Sequence, residues 1–261
     1  MLIDSNAYIG HWPFLKLEHN TPETLLGRMD EFGTDASVIS NLNGIFYKNT
    51  QHANEELWEA IRSKKKYQDR LIPFAVINPA YGGWRDDLET CATRMGMKGI
   101  RLYPQYHGYD IADPACIDLV KICRNKGLPV AFCLRMVDSR TSSWMDLDKE
   151  WTLKNIVPIV KAVPDAKYMI VNVANSMALS DDEVLLFRKA DLLFDSSGRN
   201  ITNWSSLFKL FGTDKFCFGT HAPILDYFSG LLRIESLREN EADEKTKELL
   251  RSGNLRRMLG I

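Results

Sequence analysis

The sequence of residues 97–134 is MKGIRLYPQYHGYDIADPACIDLVKICRNKGLPVAFCL. Its pattern predicts a strand, a helix and a second strand. The run Gly99–Leu102 is short and mostly apolar, as in a strand that is buried on both faces. The stretch from Pro114 to Asn125 carries apolar residues at helical spacing. A short connection at 127–129 leads into a second apolar run, Val130–Leu134. This order predicts two parallel strands that are joined by a crossover helix.

The same alternation of apolar runs and amphipathic stretches continues over the whole chain. The predicted strands are Leu2–Ile3, Ala36–Ile39, Leu71–Ile77, Gly99–Leu102, Val130–Leu134, Tyr168–Val173, Leu192–Phe194 and Phe216–Phe218. Eight strands that alternate with helices predict an α/β fold, a (β/α)8 barrel of the TIM-barrel class, as a single domain over residues 1–261. An open doubly wound sheet is the alternative. It is the weaker one, because no glycine-rich phosphate-binding motif follows the first strand.

Composition and charge exclude several classes of partner. The 261 residues are 45% hydrophobic and 26% charged, a balance that supports a large core, and the net charge is -1. Without a basic field, we expect no nucleic-acid partner and no anionic membrane surface. The start of the sequence lacks the basic flank and apolar stretch of a signal peptide, and no segment approaches bilayer-spanning length. We therefore expect a cytoplasmic protein.

In a barrel of this class, functional residues lie at the carboxyl ends of the strands. The candidates that leave the predicted strands are Asn6, Tyr8, His11, Arg101, Tyr103, Cys133, Arg135, Asn172, Asn175, Asp195 and His221. Amides, two arginines and aromatic walls suit a pocket for a small polar or anionic molecule. His221 is the strongest candidate for a catalytic group, because it follows a buried strand. Cys133 also fits a packed core position, and Asp195 also fits a helix cap.

A series of short motifs occurs in a fixed order along the chain. They are Ile3–Asp4, His52–Glu55, Arg70–Pro73, Asn78–Pro79, Met97–Pro104, Gly127–Val130, Val163–Lys167, Phe218–Thr220 and Gly253–Gly260. In order and spacing they resemble the amidohydrolase-related family, the metal-dependent hydrolase-like barrels of the amidohydrolase superfamily. The resemblance covers essentially the whole chain. It implies the same barrel fold, and by analogy a hydrolytic activity of the lactonase-like kind.

The metal-binding positions that the resemblance assigns hold other residue types in this sequence. Typical members begin with Asp-x-His-x-His, whereas residues 4–8 read DSNAY. The residues at the family's histidine positions are Asn6, Tyr8, Tyr103, Cys133 and Asn172, and His221 replaces the family's aspartate. Zinc requires imidazole, thiolate or carboxylate donors, and catalytic centres usually have three protein ligands. We therefore expect no bound metal and no cofactor.

Three functions remain open from the sequence. The first is a metal-independent enzyme that hydrolyses a lactone or an activated ester, with His221 as the general base. Arg101 or Arg135 would then hold an anionic group, and Tyr103 or Asn172 would stabilise an oxyanion. The second is a catalytically inactive relative that binds a small molecule or a protein partner, and the third is an unconventional metal enzyme. The apolar segment from 224 to 232 also predicts self-association as a homodimer.

Overall fold

The computed structural model describes residues 1–137, 143–147, 150–173, 177–198 and 203–261, and a parallel sheet of eight strands forms its centre. The strands are β1 (Ile3–Ile9), β2 (Ala36–Asn41), β3 (Leu71–Val76), β4 (Gly99–Leu102), β5 (Val130–Cys133), β6 (Lys167–Val171), β7 (Asp191–Asp195) and β8 (Phe216–Cys217). They pair in sequence order. The ring closes where the Ser5 amide donates to the Phe218 carbonyl at 2.9 Å and the Tyr8 amide donates to the Ala222 carbonyl at 2.8 Å. The predicted barrel is confirmed.

Helices connect the strands around the outside of the barrel. They are α1 (Pro22–Glu31), α2 (Asn43–Phe46), α3 (Thr50–Arg62), α4 (Lys65–Arg70), α5 (Trp84–Thr93), α6 (Pro104–His107), α7 (Pro114–Lys126), α8 (Leu153–Ala162), α9 (Asp181–Lys189), α10 (Trp204–Phe211), α11 (Tyr227–Glu235), α12 (Glu244–Glu248) and α13 (Asn254–Leu259). A 3-10 turn spans Thr213–Lys215 and a π turn spans Leu249–Gly253. Local sequence sets several of the helix starts. The side chain of Thr21 caps α1, and Ser180 with Glu183 forms a capping box at α9.

The inside of the barrel is apolar at the amino end of the strands. Phe74 of β3 and Met169 of β6 fill the axis there, and Leu255 and Met258 of α13 close this end from below. Gly99 makes room for the Phe74 ring, because a β-carbon at that position would lie 2.4 Å from the ring. A side chain at position 99 would therefore displace the ring from the core. This apolar floor leaves the polar interior residues at the carboxyl end.

The structure differs from the sequence prediction at both ends of the ring. Strand β1 runs from Ile3 to Ile9, although the apolar run ends after Ile3, and all seven of its residues are buried. Its middle residues Asp4, Ser5 and Asn6 are polar although they are buried, so the strand has no apolar signature. The apolar segment from 224 to 232, after His221, leads into the helix α11 and forms its first part. Among the described residues, no helix is both long and apolar enough to cross a bilayer.

Candidate functional site

The side chain of Asn6 lies at the centre of a buried polar cluster. Its Oδ1 accepts a hydrogen bond from Arg101 Nη1 at 2.8 Å, while its Nδ2 lies 2.8 Å from Asp195 Oδ2 and 3.0 Å from His221 Nδ1. Ser197 Oγ is also 3.0 Å from Nδ2, but this hydroxyl donates to Asp195 Oδ2 at 2.5 Å. The two amide hydrogens therefore go to Asp195 and His221. Both the oxygen and the nitrogen of the Asn6 side-chain amide are therefore hydrogen-bonded within the protein.

The neighbours of His221 determine its protonation state. Nε2 lies 2.7 Å from the carbonyl oxygen of Met136, which can only accept, so Nε2 carries a hydrogen and donates it. Nδ1 then accepts from Asn6. The ring is completely buried, and this burial lowers its pKa from 6.5 to about 3. His221 is a neutral imidazole with both nitrogens engaged.

Arg101 places a positive charge inside the barrel. On β4 its neighbours Ile100 and Leu102 pack outward against the helices, and the guanidinium points inward, where the residue is 1% exposed. The guanidinium carbon lies 4.4 Å from the ring centre of Tyr8, a cation–π contact, and Nη1 holds Asn6. Arg101 thus contacts Asn6 and Tyr8, two residues at positions that the family resemblance assigns to metal binding.

Two buried carboxyl groups complete the polar interior. Asp195 accepts from Asn6, from Ser197 and from the Asn172 amide at 2.7 Å, so donors surround both of its oxygens and an ionised carboxylate fits this environment. Burial nevertheless raises its pKa. Burial also raises the pKa of Asp4 to about 6, although hydrogen bonds from the Thr220 side chain and backbone favour the ionised form. Arg101, Asn6 and Asp195 together form an ion pair that is bridged by an amide.

Two cluster residues have left-handed backbone conformations, namely Asn172 with φ of 55° and His221 with φ of 61°. Such angles are uncommon outside glycine and occur often at functional sites. The backbone amide of His221 donates to the Asn6 carbonyl at 2.7 Å, which holds this conformation. The Asn172 side chain donates to the Arg135 carbonyl, and its Nδ2 lies 3.4 Å from His221 Nε2. The ends of β6 and β8 therefore meet over the centre of the barrel.

A small pocket lies beside this cluster at the mouth of the barrel. Its walls include Tyr103, Cys133, Arg135, Glu150 and Trp151. The Cys133 thiol donates to the Arg135 carbonyl at 3.0 Å, and burial raises its pKa to about 12, so the thiol is uncharged at neutral pH. Arg135 Nη1 contacts Glu150 Oε1 at 2.9 Å. Among the described residues, Arg135 Nε and the Tyr103 hydroxyl are buried without a hydrogen-bond partner. Two unpaired donors therefore belong to residues that line this pocket, while Arg101 Nε is unpaired at the centre of the described part of the barrel.

The structure separates the predicted site residues into groups. Asn6, Tyr8, Arg101, Asn172, Asp195 and His221 form the central cluster, and Tyr103, Cys133 and Arg135 line the mouth pocket. His11 belongs to neither group, because it is exposed on the rim and its ring lies 3.4 Å from Asn20. Asn175 lies outside the described residues.

Three residues that contribute to the site were not predicted from the sequence. Ser197 follows Asp195 by two residues and was visible as a second hydroxyl at the end of β7. The carbonyl of Met136 and the carboxylate of Glu150 belong to the connection after β5, where no periodic pattern marks which residues turn inward.

Several known structures have the same overall fold as this chain. A protein described as a candidate amidohydrolase from Staphylococcus aureus has a TM-score of 0.73 at 13% identity, over 100% of this chain and 99% of that one. A 5-carboxyvanillate decarboxylase from Novosphingobium aromaticivorans has a TM-score of 0.76 at 13% identity, over 100% and 96% of the two chains. The chain has the same barrel fold as these two proteins. A dihydroxybenzoic acid decarboxylase from a Polaromonas species adds a TM-score of 0.72 at 13% identity, over 99% and 96%. No family model and no curated protein matches the sequence.

Both of these decarboxylases are described with bound manganese, so the fit of such an ion to the barrel of this chain can be examined. Manganese prefers carboxylate, imidazole and other oxygen donors. Here Asn6 Oδ1 already accepts from a guanidinium, which would repel a divalent cation, and both nitrogens of His221 are engaged. No cluster of three or more His, Cys, Asp or Glu side chains suited to a metal occurs in the described part of the chain. These residues do not fit a divalent ion.

Proposed function

We propose that this chain binds a small anionic molecule at the mouth of the barrel, without a metal and without hydrolysing it. The observation that carries the proposal is the Arg135 guanidinium in the mouth pocket, with a buried Nε that has no partner among the described residues. The hydroxyl of Tyr103 supplies a second unused donor to the same pocket. Buried donors of this kind favour an acceptor-rich ligand, because leaving them unpaired costs free energy.

The state of the central cluster argues against the hydrolytic alternative. A general base needs an accessible lone pair and a pKa close to the working pH. In His221 the lone pair of Nδ1 accepts from Asn6, and the pKa is lowered to about 3. No group of three or more His, Cys, Asp or Glu side chains suited to a metal occurs among the described residues, which supports the metal-free part of the proposal.

The structural neighbours suggest which anion to test. One is described in complex with 2,6-dihydroxybenzoate, and another with 4-hydroxy-3-methoxy-5-nitrobenzoic acid. Both ligands are aromatic carboxylates, and a guanidinium recognises a carboxylate with two parallel hydrogen bonds. An aromatic carboxylate is therefore the ligand class that we assign to this chain.

Calorimetric titration of the tag-free protein with 2,6-dihydroxybenzoate tests the proposal, together with absorbance assays for its decarboxylation and for the hydrolysis of a lactone panel. We expect saturable binding, no product above the buffer rate, and less than one tenth of an equivalent of manganese or zinc by elemental analysis, as a rough threshold for adventitious metal. Hydrolysis of a lactone by the wild type, abolished in His221→Ala, would instead establish the hydrolase. One tightly bound metal per chain would overturn the metal-free part.

Self-association through α11 is a further part of the proposal. Phe228 is 49% exposed and Leu232 is 43% exposed on this helix, and Phe32 of the neighbouring segment stacks on Phe228. Exposed apolar side chains of this size favour association. Sedimentation velocity of the wild type and of a Phe228→Ser, Leu232→Ser variant would show a dimer that only the variant loses, and a monomeric wild type would refute this part.

A further inference from the structure

The mouth pocket already contains a carboxylate that belongs to the protein. Glu150 Oε1 lies 2.9 Å from Arg135 Nη1, and both residues line the pocket. The Arg135 side chain is 8% exposed, whereas that of Glu150 is 25% exposed. The guanidinium is therefore fixed inside the protein, and the carboxylate approaches it from the side that faces solvent.

The mouth pocket beside Arg135 is small. The cavity has a volume of about 20 Å³, measured as the space open to the centre of a water molecule. About 10–15 Å³ in this measure is needed for one water. The pocket thus has room for about one water molecule, so a larger ligand must displace part of the lining, and Glu150 is the more exposed of the two charged residues there.

The guanidinium retains capacity for a ligand. It has five N–H donors arranged in a plane, and a carboxylate can contact two of them side by side. Glu150 contacts Nη1, while Nε is buried without a partner among the described residues. The Tyr103 hydroxyl is unpartnered in the same sense, and Leu147 and Trp151 form an apolar wall. This combination suits a carboxylate that is attached to an apolar body.

We infer that Glu150 is a built-in ligand of Arg135, and that a small monocarboxylate binds by displacing it. This inference rests on the proposed function, and it names the carboxylate as the group that is recognised. The exchange replaces one carboxylate on the guanidinium by another, and the displaced Glu150 carboxylate turns to the solvent, so Arg135 has one anionic partner before and after binding. The affinity that is measured from outside is reduced by the fraction of molecules in which Glu150 occupies the site.

Calorimetric titration with sodium benzoate, on the full chain, tests the inference through Glu150→Gln. The glutamine keeps the shape and removes the charge, and it competes less well for the guanidinium. We expect Glu150→Gln to bind benzoate about tenfold more tightly than the wild type, because the site is no longer occupied by an internal anion. Glu150→Asp, whose shorter side chain reaches the guanidinium less well, should lie between the two. It carries the test if the glutamine variant does not fold.

Glu59→Gln is the matched control, because Glu59 is exposed on α3 and the same charge is removed outside the pocket. It should bind benzoate as the wild type does. Equal affinities in the wild type, Glu150→Gln and Glu150→Asp would overturn the built-in ligand and leave the proposed anion site intact. A failure of all these proteins to bind benzoate or 2,6-dihydroxybenzoate would overturn the inference together with the proposed function.

Discussion

The two arginines at the carboxyl end of the barrel, Arg101 and Arg135, have opposite surroundings. Arg101 is 1% exposed, donates to Asn6 and lies against the face of Tyr8. Arg135 lines a pocket, and its contact within that pocket is the partly exposed Glu150. The first arginine supplies a fixed positive charge at the centre and holds the polar side chain of Asn6. The second is placed to exchange one anion for another.

This contrast shows how the centre of the barrel can be filled by side chains of the chain itself. A barrel whose strand ends carry polar side chains needs a partner for each of them, because unpaired buried polar groups are costly. The bridge from Arg101 through Asn6 to Asp195 supplies several of those partners from the chain itself. In our proposal the ligand binds at the mouth, because Arg135 Nε and the Tyr103 hydroxyl have no partner there among the described residues.

The largest effect is expected for Asn6→Leu. This change leaves Arg101, Asp195 and His221 buried without the amide that bonds to them. A buried group that loses its hydrogen bond costs about 1–3 kcal/mol, and more when it is charged, so we expect a loss of about 3 kcal/mol or more. Urea unfolding followed by circular dichroism measures the free energy of unfolding. Asn125→Leu, at an exposed position of α7, is the control and should change it by less than about 0.5 kcal/mol. A loss below about 1 kcal/mol in Asn6→Leu would mean that the centre is not a closed network.

The second effect concerns the protonation of His221. Because burial lowers its pKa from 6.5 to about 3, the folded protein keeps this ring neutral while the unfolded chain takes up a proton. Its stabilising contribution is present above pH 6.5 and is lost as the pH falls toward 3, by about 1.4 kcal/mol per pH unit. Asp4, with its pKa raised to about 6, acts in the opposite direction, since its contribution is lost as the pH rises through 6.

Because these two groups oppose each other, the His221 ring itself must be observed. Carbon-13 NMR of histidine-labelled protein should show a ring signal that stays in the neutral form from about pH 8 to about pH 4 and disappears in His221→Gln. Free histidine in the same buffer is the control. A His221 signal that titrates near pH 6 would contradict the buried neutral ring and would revive its role as a base.

The third prediction concerns Arg135→Met, which keeps an unbranched side chain and removes the charge. We expect the affinity for 2,6-dihydroxybenzoate to fall by about 10- to 100-fold, as a charge-assisted hydrogen bond contributes about 1.5–3 kcal/mol. Calorimetry provides the dissociation constants. Arg85→Met is the control, because Arg85 pairs with Asp118 on the outside of the barrel. Unchanged binding in Arg135→Met would place the ligand elsewhere.

The smallest effect is expected for Tyr103→Phe. Removing one neutral hydroxyl donor should weaken the binding of the same carboxylate by about two- to tenfold, which corresponds to a hydrogen bond of about 0.5–1.5 kcal/mol. Tyr47→Phe, at a partly exposed position, should bind as the wild type does. Tighter binding in Tyr103→Phe would show that the hydroxyl faces away from the ligand.

The sequence predicts more of the scaffold than of the site. The apolar runs locate the strands, because parallel strands are buried on both faces, and their ends identify most of the central cluster. The direction of Arg101 was not predicted, since a run such as Gly99–Leu102 does not show which side chains face the axis. It follows from the outward packing of Ile100 and Leu102.

The hydrogen-bond state of the site depends on contacts between distant parts of the chain. His221 owes its tautomer to the carbonyl of Met136, and a backbone carbonyl leaves no mark in a side-chain pattern. Glu150 reaches Arg135 across a connection that has no regular spacing. For this reason the sequence predicts His221 as a base, whereas we propose Arg135 as the residue that binds an anion.

Proton–nitrogen-15 NMR of the arginine Nε–H groups, during titration with 2,6-dihydroxybenzoate, compares the two arginines in one measurement. The Arg135 signal can be assigned by its disappearance in Arg135→Met. The account predicts that this signal shifts with saturation while the Arg101 signal stays in place. A shift of the Arg101 signal, with that of Arg135 unchanged, would show that the centre is open to ligand and would contradict the account.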